Sequence, residues 1–196
     1  MGKIITISRE FGSGGRELGK RLADALGYDY YDKEIITHIS NKVGLSEEYV
    51  STLSEQGMSH YVINYGRSFY INPDQNKVMT AQHEFLRSVA LKGNCVIVGR
   101  GANIILKDFN PLNIFVYASL ESKLERCKLK ANEEEKLTDK ELIKRIKEID
   151  KNRKNYFSLF SDYEWGDKRN YHLCINTSNV VIKDLIPSLK SFVENY

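Results

Sequence analysis

Apolar residues fall along this chain in short blocks, separated by longer stretches in which they recur every three or four positions. Ile4, Ile5 and Ile7, with Thr6 among them, make the first block and predict a short buried strand. Four more blocks read the same way: Tyr28–Tyr31, Cys95–Val98, Ile114–Ala118 and Tyr171–Asn176. Leu18, Leu22, Ala25 and Leu26 repeat at helical spacing, which predicts a helix beginning near Gly14 or Gly15. Further helices are predicted over Lys33–Val43, Ser46–Glu55, Val78–Lys92, Ser119–Ala131, Asp139–Phe157 and Val180–Val193. Strands alternating with helices imply parallel pairing with helices on both faces, an α/β fold. Two stretches break the alternation: residues 56–77, polar and aromatic without a period, and the charge-rich residues 130–140 with the Glu133–Glu135 run. Each reads either as a solvated loop or as a flap that closes over a ligand.

The turn between the first strand and first helix contains Gly12, Ser13, Gly14 and Gly15. Without side chains, backbone N–H groups can approach a ligand, and the positive end of the following helix attracts an anion, above all phosphate. A Walker A loop has a glycine, four residues, then Gly-Lys-Ser/Thr, the lysine reaching the phosphates and the hydroxyl holding Mg²⁺. Here Arg9 stands at the first glycine, Gly15 at the lysine and Arg16 at the hydroxyl. Arg16 can supply the missing charge from one position along, and Ser13 or Glu17 are the candidates to replace the hydroxyl. The alternative is a tight turn into an ordinary helix.

In a parallel sheet, ligands sit beyond the carboxyl ends of the strands. The Gly12–Gly15 turn, Asp32, Gly99–Arg100–Gly101 and Ser119 all fall at such ends. Arg100, between two glycines, is a candidate for an acceptor phosphate rather than a surface ion pair. Tyr31 and Asp32 end the second strand; Asp32 is placed to cap the next helix and, if it faces the cleft, to bind an acceptor. Leu142, Ile146, Ile149, Arg153, Tyr156 and Phe160 share one helical stripe, so Arg153 is a charge on an apolar face. It needs an anionic partner or a route to solvent, and reads either as a phosphate ligand in a closing lid or as a snorkelling arginine beside a carboxylate. Arg126 and Arg145 follow as candidates, and Arg87 comes last. Phosphoryl transfer requires this kind of positive charge around the moving group, and no hydrolytic triad or metal-ligand spacing competes with it.

Composition narrows the picture. At 196 residues and 41% hydrophobic the chain is long enough for one packed domain. A net charge of +3 is too balanced for a nucleic-acid binder. Cys95, Cys127 and Cys174 lack metal or disulfide spacing and are expected to be buried apolar thiols, and His38, His60, His83 and His172 share no ligand spacing. Asn176-Thr177-Ser178 fits a glycosylation acceptor but is read as a loop after a strand. With no signal segment and no membrane-spanning apolar run, a cytoplasmic protein with no membrane partner is expected. Oligomeric state is not legible.

Taken together, ISREFGSGGRELGKRLA at 7–23, YDYYDKEII at 28–36, VIVGRGAN at 96–103, IFVYASLESKLERC at 114–127 and EWGDKRNYHLCINTS at 164–178 resemble the cytidylate kinase-like family. That resemblance implies a single domain over 1–196 with a three-layer P-loop NTPase fold and a five-stranded parallel sheet. It also implies an acceptor-binding insert at about 33–92 and a lid at about 128–160. The implied activity is transfer of the γ-phosphoryl of ATP, with Mg²⁺, to CMP or dCMP. Gly12, Ser13, Gly14, Gly15, Arg16 and Glu17 would lie at the ATP phosphates, and Tyr31, Asp32, Arg87 and Arg100 would bind the acceptor. Arg126 and Arg153, with Arg16, would serve catalysis near the lid. Cytidylate kinases proper have lysine at Gly15 and aspartate at Gly101. Two other readings stay open: a nucleotide-binding sensor without catalysis, and a kinase for a non-nucleotide small molecule.

Overall fold

Successive side chains of a strand point to opposite sides of its sheet, and the first strand, β1 (Ile4–Arg9), divides its apolar residues accordingly. Ile4 joins one buried cluster; Ile5 and Ile7 join another on the far side. The strand β3 (Cys95–Val98) repeats the division, with Cys95 and Ile97 on the first side and Val96 and Val98 on the second. A strand buried on both faces reads as a continuous apolar run, which is why these blocks stand out in the sequence. The computed structural model describes residues 2–55, 73–130, 137–158 and 161–196.

With β2 (Asp29–Tyr31), β4 (Leu112–Tyr117) and β5 (Leu173–Asn176), the strands form one sheet in the order β2-β3-β1-β4-β5, every pair parallel. From β1 the chain goes to the edge strand β2 and returns to β3 beside β1, then crosses to β4 on the other side of β1 and on to β5. The loop after β1 therefore lies at the switch point of a doubly wound sheet, where the strand ends open a crevice. Helix α1 (Gly15–Leu26) buries Leu18 and Leu22 against one face, beside Ile182, Ile186 and Leu189 of the C-terminal helix. The opposite face is covered by α2 (Glu34–Val43), by Val50 of α3 (Glu47–Glu55), by α4 (Pro73–Lys92) and by the single turn α5 (Ala102–Ile105). Helices α6 (Leu120–Lys130) and α7 (Asp139–Ser158) follow β4, and α8 (Ile182–Asn195) closes the chain. The fold is α/β with helices on both faces, as the pattern predicts.

The differences have local causes. β4 begins at Leu112, two residues ahead of the predicted block, because Asn113 is polar; its side chain is matched by the Thr6 hydroxyl of β1, which donates to it at 2.6 Å. α4 begins at Pro73, so residues 73–77 of the irregular stretch are helical; proline fits a first turn, whose N–H groups lack intrahelical partners. Residues 56–72 of that stretch, residues 131–136 of the charged bridge and Phe160 of the stripe lie outside the described residues. Of the three cysteines expected to be buried, Cys95 is, Cys127 is half-buried, and Cys174 on the edge strand β5 is exposed. Among the described residues no helix is long and apolar enough to cross a membrane.

Leu18 is fully buried and Leu129 of α6 is 85% exposed. Leu18→Ala should cost about 2–5 kcal/mol in urea denaturation, and Leu129→Ala less than about 0.5 kcal/mol. Equal losses would contradict the packing of α1 on the sheet.

Candidate active site

The turn from β1 into α1 takes two residues into left-handed backbone, Gly12 at φ 76° and Gly14 at φ 81°, conformations that glycine adopts without a Cβ penalty. Ser13 between them is completely buried, and its hydroxyl donates to the Glu10 carbonyl at 2.8 Å. The Ser13 carbonyl in turn accepts from the Thr177 hydroxyl at 2.7 Å and from Arg126 at 3.5 Å. Arg126 also donates to the carbonyls of Thr177 and Val180. Carboxylates and cations fasten the other side of the turn. Lys123, itself buried, meets Glu10 at 2.6 Å and Asp150 at 3.4 Å, and Asp150 accepts from the Phe11 N–H at 2.7 Å.

This turn borders a cavity of about 300 Å³, walled by Gly12, Gly14, Gly15, Arg16 and Glu17 on one side and by Arg126, Cys127, Lys130, Leu142 and Arg145 of α6 and α7 on the other. The helix start contributes N–H groups without intrahelical partners and the positive end of the α1 dipole. A second cavity, of about 50 Å³, lies beyond the end of β3 and is lined by Ser8, Arg100, Asn103, Tyr156 and Trp165 among others. Arg9 and Arg153 line both. The two spaces thus share a wall built by two arginines.

The candidates from the sequence separate on this map. Arg16 lines the larger cavity and pairs through Nε with Asp32. Asp32 does not cap α2, whose N-cap position is Lys33 without a side-chain bond; its buried carboxylate faces Arg16 and, at 3.6 Å, Arg9. It lines neither cavity and stands behind the two arginines. Arg100 lines the smaller cavity in left-handed backbone, φ 58°, with its carbonyl accepting from Gln82 at 3.1 Å. Such a backbone in a non-glycine residue stores strain, as functional positions often do. Arg153 satisfies its charge with the Arg9 carbonyl at 3.0 Å and with Asp150, one turn back, at 3.6 Å.

Arg126 borders the larger cavity, yet the bonds above engage its guanidinium with carbonyls. Tyr31 donates to Asp29 at 3.4 Å and packs edge-on against Phe85, outside both linings. Arg87 pairs with Asp108 at 3.7 Å and lies over the Phe109 ring, also outside both. The sequence reading missed Arg9, Lys123, Asp150 and Thr177. Arg9 did carry a signal, as a charge at the end of an apolar strand directly before the glycine turn.

Neither residue offered for magnesium fits that task. The Ser13 hydroxyl is turned into its own loop, and Glu17 is held by Arg21 at 3.0 Å and Lys130 at 3.2 Å. Burial raises the Glu17 carboxyl, but those two cations outweigh it and leave it below the usual carboxylate range. Among the described residues no group of three or more His, Cys, Asp or Glu is placed to hold a metal ion. Burial also pushes the Cys127 thiol up, so it enters the cavity wall as an un-ionised thiol.

No curated protein matches the chain. An uncharacterized protein from Eubacterium ventriosum is 27% identical over 99% of both chains, with a TM-score of 0.70. Shikimate kinase from Bacteroides thetaiotaomicron is 16% identical over 98% of both chains, TM-score 0.59. Shikimate kinase from Acinetobacter baumannii, in complex with shikimate, is 14% identical over 100% of this chain and 94% of its own, TM-score 0.54. The fold is therefore that of the P-loop kinases. The model of the cytidylate kinase-like family matches residues 4–179, from β1 to the loop after β5, and the chain belongs to that family.

Proposed function

We propose that this protein transfers the γ-phosphoryl group of ATP to a nucleoside monophosphate, with CMP or dCMP as the acceptor. The observation that carries the reading is the meeting of the two cavities at Arg9 and Arg153. A polyphosphate held at the start of α1 in the larger space and an acceptor phosphate held by Arg100 in the smaller would bring the reacting groups together between those cations. An acceptor oxygen then bonds to the γ-phosphorus as the bond to the β,γ-bridging oxygen breaks, and ADP leaves with the electron pair. A phosphate acceptor needs no proton removed before attack. Guanidinium groups fixed in advance around the transferring oxygens supply charge stabilisation without reorganisation. ATP is the donor that the family implies, used with Mg²⁺, although the loop's own side chains, Ser13 and Glu17, do not fit the metal's ligand set.

In this reading residues 128–160 act as the lid, since Lys130, Arg145 and Arg153 from this span wall the larger cavity. The insert at 33–92 contributes Gln82, which positions the Arg100 backbone. A second reading, a non-nucleotide small molecule as acceptor, is favoured by the smaller cavity's volume of about 50 Å³.

An ADP-release assay with CMP, dCMP, UMP and AMP should give turnover with at least one of them. Its absence with all four, alongside measurable ATP binding, would replace the kinase with a binding module. Arg16→Ala should raise the KM for ATP about tenfold, and Arg100→Ala the KM for the acceptor by a similar factor, each leaving the other KM within about threefold. Both variants raising the same KM would overturn the division into donor and acceptor spaces.

A further inference from the structure

Gly15 stands where a Walker loop carries its lysine, and the structure shows what fills the vacated room. A Cβ at Gly15 would sit 2.6 Å from the Arg9 Cβ and 3.1 Å from its Cγ, closer than side chains tolerate. At its far end the Arg9 guanidinium passes over Gly99, where a Cβ would meet it just as severely. The arginine is thus laid in a channel opened by two glycines, from the start of α1 to the loop after β3. Its side chain is only 13% exposed, yet it borders both cavities. Arg16, by contrast, is 57% exposed and turned to Asp32.

The charge balance around Arg9 points the same way. Burial and the neighbouring Arg153, Arg100 and Arg16 push its pKa down to about 9, with Asp32 the carboxylate that opposes them. A guanidinium crowded by three others gains from a polyanion among them.

We propose that Arg9 is the buried phosphate-binding cation that takes the place of the Walker lysine, gripping the terminal phosphates of the donor where the two cavities join, while Arg16 contributes from the more exposed wall of the larger one. Gly15 leaves room for the Arg9 Cβ and Cγ, and Gly99, whose φ of 80° already favours glycine, leaves the guanidinium its path. The inference rests on the kinase reading above, and the two can fail separately.

Isothermal titration with sodium tripolyphosphate and with ATP tests it on the wild type, Arg9→Met, Arg9→Lys, Arg9→Gly, Gly15→Lys and the double variant Arg9→Gly/Gly15→Lys, each with its Tm. Arg9→Met should keep its fold and bind tripolyphosphate about tenfold to a hundredfold more weakly, with Arg9→Lys losing less. Gly15→Lys alone should lower both Tm and binding, because lysine and arginine compete for one space. The double variant, which restores the first glycine and the lysine of the usual loop, should recover binding to within about threefold of the wild type. A merely structural arginine would not be rescued by a lysine six residues away. Undiminished binding in a folded Arg9→Met, or a folded double variant no better than Arg9→Gly, would overturn the proposal while leaving the kinase reading intact. If Arg9→Gly does not fold, Arg9→Met and Arg9→Lys decide, and equal losses in these two overturn it. A wild type that binds neither tripolyphosphate nor ATP removes both readings.

Discussion

Positive charge gathered out of solvent sets the terms for the rest of this molecule. Arg9 is almost enclosed, three further guanidinium groups act on it, and Asp32 is buried behind it with Arg16 on its other oxygen. Taking ions out of water costs several kcal/mol each unless they are paired in good geometry. The pairing here is partial by construction: one carboxylate serves two arginines, and Arg153 turns instead to a backbone carbonyl and Asp150. Packing of α1 and α8 on the sheet supplies the rigid frame against which this imbalance persists.

The glycine turn is secured by its own carbonyls and by charges from later in the chain. Ser13 gives its carbonyl to Thr177 and Arg126, while Glu10 and Phe11 are held through Lys123 and Asp150. Three segments distant in sequence, the end of β5 and the helices α6 and α7, thereby fix one short loop. A loop fastened on both sides keeps its backbone N–H groups in place before any ligand arrives, which lowers the ordering cost of binding.

The sheet could be read in the sequence because its inner strands are buried on both faces and so appear as unbroken apolar blocks. Helices α1, α6 and α7 were legible from their spacing. Reading failed where polar residues interrupt an element's apolar pattern: Asn113 hid the start of β4 behind its bond to Thr6, and Asp74, Gln75 and Lys77 hid the first turn of α4. The site was partly legible. Gly12, Gly14, Gly15, Arg16, Arg100 and Arg153 border the two adjoining cavities, whereas Ser13, Tyr31 and Arg87 do not. Asp32 looked like a helix cap because of where it stands in the chain, and only the fold reveals the arginines in front of it. Arg9 signalled only that a charge ends an apolar strand, which gives no sign of which way it turns. Thr177 was hidden because a loop hydroxyl shows no partner until β5 is laid beside the turn.

Helix α7 presents Asp150, Arg153 and Tyr156 at intervals of three residues. The first holds the Phe11 amide, the second the Arg9 carbonyl, and the third meets Gln82 of α4. At a rise of about 1.5 Å per residue these anchors span roughly 9 Å, so the helical pitch sets the distance from the start of the glycine turn to the contact with α4. A residue added or removed between 150 and 156 would swing the later anchors round the axis by about 100° and break the alignment, whereas a length change before Asp139 leaves their mutual spacing untouched. Evolutionary drift in chain length should accordingly gather ahead of α7 and avoid its second half.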